Sequence, residues 1–507
     1  MPAGRTPIIS PGRAARARFD ASVRGWIPGI ARWVGGGDMK VVLISTYELG
    51  HQPFGLSSPA AWLGEAGASV TCVDLAVEGL DEQAVVEAKL IAVYLPMHTA
   101  TRLASTVVPR LRSLNTAAHL CFFGLYAPMN EDFLRALGGR TILGGEFETP
   151  LVNLYRRLSA NGGGRMAQSQ TEPVISLAKQ RFRLPDRGGL PPLSQYAYVS
   201  TGIGDRKTVG YTEASRGCKH LCRHCPVVPV YGGRFRIVQP DIVMDDIRQQ
   251  VAAGARHITF GDPDFFNGVG HALRLIEAFH AEFPELTYDA TIKIEHLLKH
   301  VEHMTTLVST GCLFVTTAVE SVDDRILTLL DKGHTRNDFI RAAGLARETA
   351  LTLSPTFIPF MPWTSTDLYL DLLRLLVDLD LVDHVAPIQL AIRLLVPRGS
   401  RLLELKEMQD CLGEFDAAAL SYRWASHDPR VDSLQEDVMN IVEQGAADGV
   451  GRREIFQRIW RTAHKAAGKS AAPFPPFWDA RPEAQLPCLS EPWYSCAEPT
   501  EAQLAGI

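Results

Sequence analysis

Short apolar runs alternate with amphipathic stretches over most of the chain, and this alternation predicts an α/β protein. In the first part of the chain, helical stretches around 60–66 and 101–114 lie between the apolar runs. Strands that alternate with helices form a parallel sheet with helices on both faces. A Rossmann-like domain is therefore predicted over 39–158. Its expected buried strands lie at 41–45, 69–74, 90–94, 119–123 and 140–143.

A second alternating segment covers about 206–425. Its six strand-like runs lie at 207–212, 257–260, 287–294, 312–319, 351–358 and 385–395. Glycine and proline clusters without periodicity mark 159–205 as a linker between the two segments. Beyond about 425 the alternation fades, which predicts a C-terminal helical region with a tail over 426–507.

Residues 1–38 differ from the rest. They contain six arginines and two aspartates, with three consecutive glycines at 35–37. An arginine-rich, acid-poor start is typical of a transit peptide, but it also fits a disordered extension or translation that starts at Met39. We favour the last two, because Met39 leads directly into a strand.

Composition limits the function. A chain of 507 residues predicts two or three domains. The net charge of −5 gives no reason to expect nucleic-acid binding. No apolar run is long enough for a membrane span. Nine cysteines in a chain of this length do not indicate a disulfide scaffold, so a reducing, cytoplasmic location is expected.

Three cysteines form the strongest chemical signal. Cys218, Cys222 and Cys225 have a Cys-x3-Cys-x2-Cys spacing. Three thiolates can hold three corners of a [4Fe–4S] cluster, leaving one iron open for a small molecule. The alternatives are a zinc site completed by His220 or His224, and a group of redox thiols.

The stretch 215–226 closely resembles the signature of the radical S-adenosylmethionine (SAM) enzymes, with His224 where that family usually has an aromatic residue. The resemblance implies a [4Fe–4S] cluster that passes one electron to SAM, after which a 5′-deoxyadenosyl radical abstracts hydrogen from a substrate. It also implies a partial (β/α)6 TIM-like barrel, which the six strand-like runs match. Catalytic groups of such barrels collect at the C-terminal ends of the strands.

Residues at the predicted strand ends supply the cofactor-binding candidates. The Gly261-Asp262 turn matches the position where the family binds the amino group of SAM, although a turn capped by Asp264 is the alternative. Glu320 could accept from ribose hydroxyls or pair with Lys293. With the metal ligands left aside, the full set of candidates is His224, Gly261, Asp262, Lys293, Glu295, Glu320, Ser321 and Arg393.

Residues 39–158 resemble the cobalamin-binding-like domain that precedes many radical SAM domains. The resemblance includes the turn Gly145-Glu-Phe-Glu148. The Asp-x-His-x-x-Gly motif of corrinoid domains with a protein ligand is missing, and His51 is the one histidine in its place. Cobalamin could bind without a protein ligand, or the domain could be purely structural.

The tail, together with 225–236, resembles that of the CUAEP/CCAEP-tail radical SAM proteins. Their tail carries a Cys-selenocysteine or Cys-Cys pair before Ala-Glu-Pro, whereas here Ser495 precedes Cys496. A vicinal disulfide is therefore impossible. Cys496 is the candidate catalytic residue, as a partner of Cys488, a metal ligand or a hydrogen-atom donor, and an inert thiol is the alternative.

Together these patterns predict a radical SAM enzyme whose substrate the sequence does not identify. An electron donor such as flavodoxin or ferredoxin is the expected partner. A cobalamin-dependent radical methyltransferase and a non-catalytic zinc or iron–sulfur protein are the alternatives.

Overall fold

The computed structural model describes residues 39–160, 172–202, 205–471, 486–491 and 498–504. The predicted basic extension at 1–38 and the candidate Cys496 lie outside the described residues. No helix in the described ranges is long and apolar enough to cross a membrane.

The N-terminal domain is built on a six-stranded parallel sheet with the order β2-β1-β3-β4-β5-β6. Its strands are β1 (Lys40–Ser45), β2 (Ser69–Asp74), β3 (Leu90–Tyr94), β4 (His119–Phe123), β5 (Thr141–Gly145) and β6 (Ile175–Ser176). Its helices are α1 (Phe54–Glu65), α2 (Glu82–Glu87), α3 (His98–Leu114), α4 (Glu131–Ala136) and α5 (Glu148–Ala160).

Helices cover both faces of this sheet, as the continuous apolar runs predicted. In β1, Val41 and Leu43 belong to one hydrophobic cluster, and Val42 and Ile44 belong to the cluster on the opposite face. A strand buried on both faces has no solvent side, so it shows no polar alternation. The expected Rossmann-like architecture is present.

The second domain is a half-barrel whose sheet has the order β14-β13-β12-β11-β8-β7-β17. From β8 to β14 the paired strands are parallel, and β7 is antiparallel to β8. Its strands, including the hairpin of β9 and β10, are β7 (Tyr198–Gly202), β8 (Asp205–Thr212), β9 (Ser215–Gly217), β10 (Phe235–Ile237), β11 (His257–Phe260), β12 (Thr287–Thr291), β13 (Cys312–Glu320) and β14 (Leu353–Phe357). Its helices are α6 (Val227–Tyr231), α7 (Pro240–Ala252), α8 (Val269–Glu282), α9 (Ile294–Lys299), α10 (Met304–Ser309), α11 (Asp324–Leu330), α12 (Arg336–Glu348) and α13 (Thr366–Asp378).

The sixth predicted barrel strand, at 385–395, does not form as a strand. A short 3-10 helix occupies Pro387–Leu390, and one isolated bridge joins Phe360 to Arg393. Pro387 has no N–H to donate to a ladder. The run is apolar because most of it is buried in the largest core cluster, and periodicity alone does not separate such a run from a strand. The third strand also ends earlier than predicted, at Thr291.

The C-terminal region covers the far side of the half-barrel, as the helical pattern predicted. Leu434 and Val438 on one of its helices and Ile459 on the next join the core of the barrel helices. Its elements are α14 (Lys406–Gln409), β15 (Leu412–Asp416), β16 (Ser421–Trp424), α15 (Pro429–Ala447), α16 (Arg452–Ala466), β17 (Cys488–Leu489) and α17 (Glu501–Leu504).

The segment predicted as a linker is structured where it is described. It adds β6 to the first sheet and β7 to the second. Arg187, between these strands, donates to both carboxylate oxygens of Asp246 on α7, at 2.8 and 2.9 Å, and to Gln52 in the N-terminal domain at 2.8 Å. This buried arginine therefore ties the two domains together.

We expect Arg187→Ala to lower the free energy of unfolding by ~3–5 kcal/mol, because it leaves the buried Asp246 without its cation. Arg183→Ala is the matched control, since Arg183 pairs with Glu65 at the surface and its loss should cost less than ~1 kcal/mol. Urea denaturation followed by circular dichroism measures both. Equal losses in the two variants would contradict the structural role of Arg187.

Candidate active site

The three cysteines lie on a loop that is closed at its base by a hairpin. β9 ends at Gly217, directly before Cys218, and pairs antiparallel with β10, where Phe235 is opposite Gly217. α6 begins two residues after Cys225. The loop follows β8, the first barrel strand, as predicted, and the hairpin fixes where it leaves the barrel.

A cavity of about 350 Å³ separates the two domains and reaches this loop. Its walls come from the C-terminal ends of the barrel strands, the cysteine loop, and the loops after β1 and β3. Predicted site residues that border it are Cys218, Cys222, Cys225, His224, Gly261, Asp262, Lys293 and Glu320. Parallel strands present their C-terminal ends at one edge, so residues far apart in sequence meet here.

The donor set fits an iron–sulfur cluster. Three cysteine side chains border one cavity, and Lys293 Nζ lies 3.7 Å from Cys222 Sγ. Burial raises the pKa of Cys218 to about 12 and also raises the pKa of Cys222, against the opposing effect of Lys332 and Lys293. Thiolates are the form that binds metal, and bound cations would supply the positive charge that keeps these sulfurs deprotonated.

His224 is held by a carboxylate. Its Nε2 lies 3.1 Å from Glu320 Oε1, and Lys332 donates to the same oxygen at 3.4 Å. Burial would raise the pKa of Glu320, but Lys332 and His224 outweigh it and lower that pKa to about 2. Glu320 therefore pairs with Lys332 and His224, where the sequence had suggested Lys293.

Asp262 supports the cysteine loop. Its carboxylate accepts from the Ala214 backbone N–H at 2.9 Å and from the Ser215 hydroxyl at 2.5 Å. Burial raises the pKa of Asp262 to about 7, against these hydrogen bonds. The neighbouring Gly261 has no room for a side chain, because a Cβ would lie 1.9 Å from the Tyr211 hydroxyl oxygen.

Asp264 was expected only as a helix cap, and it does accept from the Phe266 N–H at 3.3 Å. It also lies 3.2 Å from His220 Nε2 and 2.7 Å from His296 Nδ1. Ligand atoms of Cys218, His220 and Asp264 fall within 4.8 Å of one another. The zinc alternative therefore has a possible ligand set, which shares Cys218 with the cluster.

Three predicted residues lie apart from this centre or at its rim. Arg393 donates to Asp432 at 3.1 Å and stacks on Trp424, away from the cavity, so the geometry does not favour its assignment to SAM. The Ser321 hydroxyl accepts from the Asp323 N–H at 3.2 Å in a local turn. Glu295 is partly exposed and lies 3.7 Å from Lys293.

Comparison with known proteins identifies the barrel. Residues 212–376 match the Radical SAM superfamily. The barrel is a radical SAM domain. Members of this superfamily are enzymes, so the predictions of a radical SAM domain and of an enzyme are confirmed.

One curated relative is the tRNA-2-methylthio-N(6)-dimethylallyladenosine synthase of Desulfosudis oleivorans. It is 24% identical over 213 residues, which are 40% of this chain and 45% of that protein. The chain thus spans less than half the length of this relative. The alignment carries no conclusion about the substrate of the present protein.

Two solved structures share the fold of the radical SAM domain together with the domain before it. The methyltransferase TsrM from Kitasatospora setae, with cobalamin and a [4Fe–4S] cluster bound, matches with a TM-score of 0.52 and 17% identity over 68% of this chain and 70% of that chain. The cobalamin-dependent enzyme OxsB with aqua-cobalamin matches with a TM-score of 0.59 and 15% identity over 81% and 67%. The expected fold class is confirmed.

Arg216, two residues before the first cysteine of the radical SAM domain, forms an interaction that the sequence did not reveal. Its guanidinium lies 2.6 Å from Glu148, 2.5 Å from Glu213 and 3.6 Å from Glu146. Glu146 and Glu148 belong to the N-terminal turn that the resemblance had singled out. Burial would lower the pKa of Arg216, but the carboxylates raise it well above its ordinary value, so the arginine stays charged.

Aromatic rings complete the surroundings of Arg216. The guanidinium lies 5.0 Å from the ring of Phe182, 5.3 Å from Phe147 and 5.6 Å from Phe54. Ring faces attract a cation, most strongly where water is excluded. The approach to the cysteine loop is thus fixed by both domains and by the segment between them.

We expect Arg216→Met to lower the free energy of unfolding by ~3–5 kcal/mol, since it leaves buried carboxylates without a cation. Adding Glu148→Gln should recover part of this loss, because one fewer buried charge is left unpaired. Urea denaturation of the single and double variants measures the coupling. Strictly additive losses would show that Arg216 and Glu148 do not act on each other.

Proposed function

We propose that the protein binds a [4Fe–4S] cluster through Cys218, Cys222 and Cys225, binds SAM at the open iron, and cleaves SAM reductively to start radical chemistry on a substrate. The observation that carries the proposal is the set of three cysteines bordering one cavity at the mouth of a radical SAM domain. When bound, the cluster and SAM supply the one-electron chemistry. The protein's own groups supply binding, orientation and exclusion of water.

The surroundings of the cysteines support a cluster over zinc. Within the described residues, His224 joins no group of three or more ligand atoms that lie within 4.8 Å of one another, so a zinc site completed by His224 is not favoured. Lys293 and Lys332 place positive charge near Cys222, which suits the net negative charge of a thiolate-bound cluster. A zinc site on Cys218, His220 and Asp264 would leave Cys222 and Cys225 unused.

Residues at the strand ends position the second cofactor in this proposal. Gly261 borders the cavity and carries no side chain, so its backbone can approach SAM closely. Asp262 holds the loop through Ala214 and Ser215, so its role is positioning. Glu320, with Lys332 and His224 fixed around it, is the carboxylate placed to accept from ribose hydroxyls.

The setting of the reaction is part of the same proposal. Reductive cleavage requires an electron donor such as flavodoxin or ferredoxin. An oxygen-sensitive cluster requires a reducing compartment, which the cytoplasm provides. The net charge of −5 gives no reason to include nucleic acid among the partners. Cys496 stays the candidate catalytic residue of the tail.

Anaerobic reconstitution tests this function. We expect ~4 irons per chain, and 5′-deoxyadenosine after reduction in the presence of SAM. Cys225→Ser should abolish both, whereas His220→Ala should keep the iron. Zinc bound in place of iron, lost from His220→Ala but retained by Cys225→Ser, would establish the non-catalytic alternative.

A cobalamin-dependent methyltransferase is the second candidate, and His51 is the residue that favours it. His51 is buried in the cavity wall, and burial lowers its pKa to about 4, which leaves the imidazole in the neutral form that binds metals. The shared fold with TsrM and OxsB points the same way.

The described cavity is small for a corrinoid. At its edge the Tyr94 ring lies against Gly55 of α1, where a Cβ would lie 2.0 Å from the ring. A cavity of about 350 Å³ is at the low end for drug-sized ligands, and a corrinoid is far larger. Binding of a corrinoid therefore requires this cavity to be larger than it is in the described conformation.

Production in cells supplied with excess cobalamin tests this candidate by visible absorption of the purified protein. A bound corrinoid would give a coloured protein, and ligation by His51 would make that spectrum change in His51→Ala. A colourless protein after this treatment counts against the methyltransferase.

A further inference from the structure

Glu48 is a buried carboxylate with one oxygen that the described residues leave without a hydrogen-bond partner. It follows β1 in the N-terminal domain, is 7% exposed, and borders the cavity that contains the cysteines. Its Oε2 has no hydrogen-bond partner in the described part of the chain. A buried carboxylate normally has a cation or several donors around it, so an unmatched one facing a cavity indicates a ligand.

The other carboxylates that border the cavity all have partners. Those pairs are Glu213 with Arg216, Asp262 with Ser215, Asp289 with His257 at 2.9 Å, and Glu320 with Lys332. The arginines nearest to Glu48 are already engaged. Arg187 makes two bonds to Asp246, and Arg216 lies between carboxylates. Glu48 is thus the exception within one cavity.

Burial, together with the nearby charges of Glu213 and Asp74, raises the pKa of Glu48 well above its ordinary value, and the opposing effects of Arg187 and of a hydrogen bond from the Gly55 backbone do not offset it. A cation placed beside the carboxylate would reverse this effect. The protein therefore keeps a carboxyl group at an energetic cost that a positively charged ligand removes.

Aromatic rings surround the same end of the cavity. Burial raises the pKa of the Tyr94 and Tyr211 hydroxyls, and nearby negative charges, among them Glu48, raise it further. Phe147 borders the cavity as well, and its ring centre lies 6.0 Å from that of Tyr94. Rings with a carboxylate among them are the surroundings that bind an ammonium group on an apolar body.

We propose that Glu48 binds a protonated amine of the substrate, with the rings of Tyr94 and Tyr211 beside it. The inference rests on the proposed function and names its substrate class: a compound whose basic nitrogen is attached to an apolar group. The amine can belong to a small molecule or to a lysine side chain of a peptide. Either source places the ammonium in the N-terminal domain and the rest of the substrate toward the cysteines.

Isothermal titration calorimetry of the reconstituted protein with SAM tests this with matched probes. The first pair is n-hexylamine and n-hexanol, and the second is Nα-acetyl-lysine methylamide and its norleucine analogue. We expect at least one amine to bind at least tenfold more tightly than its neutral partner, because charge-assisted hydrogen bonds are the stronger ones. Binding of both amines would point to a peptide, and binding of hexylamine alone would point to a small molecule.

Glu48→Gln should reduce this ratio to near one and leave SAM affinity unchanged. Glu65→Gln, which alters an exposed carboxylate on α1, is the control and should keep the wild-type ratio. The melting temperature shows whether each variant is folded. The ratio of amine affinity to neutral-probe affinity in the wild-type protein tests the proposal without any variant.

Three outcomes overturn the proposal. They are equal binding of amine and neutral probe in both pairs, an unchanged ratio in Glu48→Gln, and a fall in SAM affinity in that variant, which would assign Glu48 to the ammonium of SAM. Calorimetry does not require SAM cleavage. A failure of the proposed radical function would appear as missing iron or missing 5′-deoxyadenosine, independently of the ratio.

Discussion

The charge of Arg216 holds the two halves of this protein in one arrangement. It lies on the strand that leads into the cysteine loop, and one of its partners, Glu148, belongs to the other domain. A buried arginine cannot lose its proton, and buried carboxylates without it would be costly. Arg216 thus positions the cysteine loop against the N-terminal domain, and Arg187 joins the same two domains through Asp246 and Gln52.

Burial and local spacing determine which features of this protein could be predicted from its sequence. The strands of both sheets followed from apolar runs, because burial on two faces leaves a direct trace in the sequence. Cys218, Cys222 and Cys225 followed from spacing, since their chemistry is local. The sixth strand was misassigned because Pro387 and its apolar neighbours are buried as a 3-10 helix, and hydrophobicity records burial and not hydrogen bonding.

Partners that meet only through the fold could not be predicted. Lys332 was expected in no role, yet it lies beside Glu320 because a turn after α11 returns the chain to the barrel mouth. Arg216 and Glu148 are 68 residues apart in number and belong to separate domains, so no local pattern joins them. Glu48 gave no signal either, because a carboxylate in a loop is ordinary until its burial is known.

The pairing of β17 with β7 has a consequence for how the chain acquires its structure during synthesis. Tyr198 and Ser490 meet at this edge although they are 292 residues apart. Until residue 489 has left the ribosome, the backbone groups of β7 on that side have no strand to pair with, while the rest of the sheet can already assemble. An open edge is a site for pairing with other chains. That edge of β7 therefore stays open until the last part of the chain has been synthesised. During this time it can pair with other chains unless a chaperone covers it.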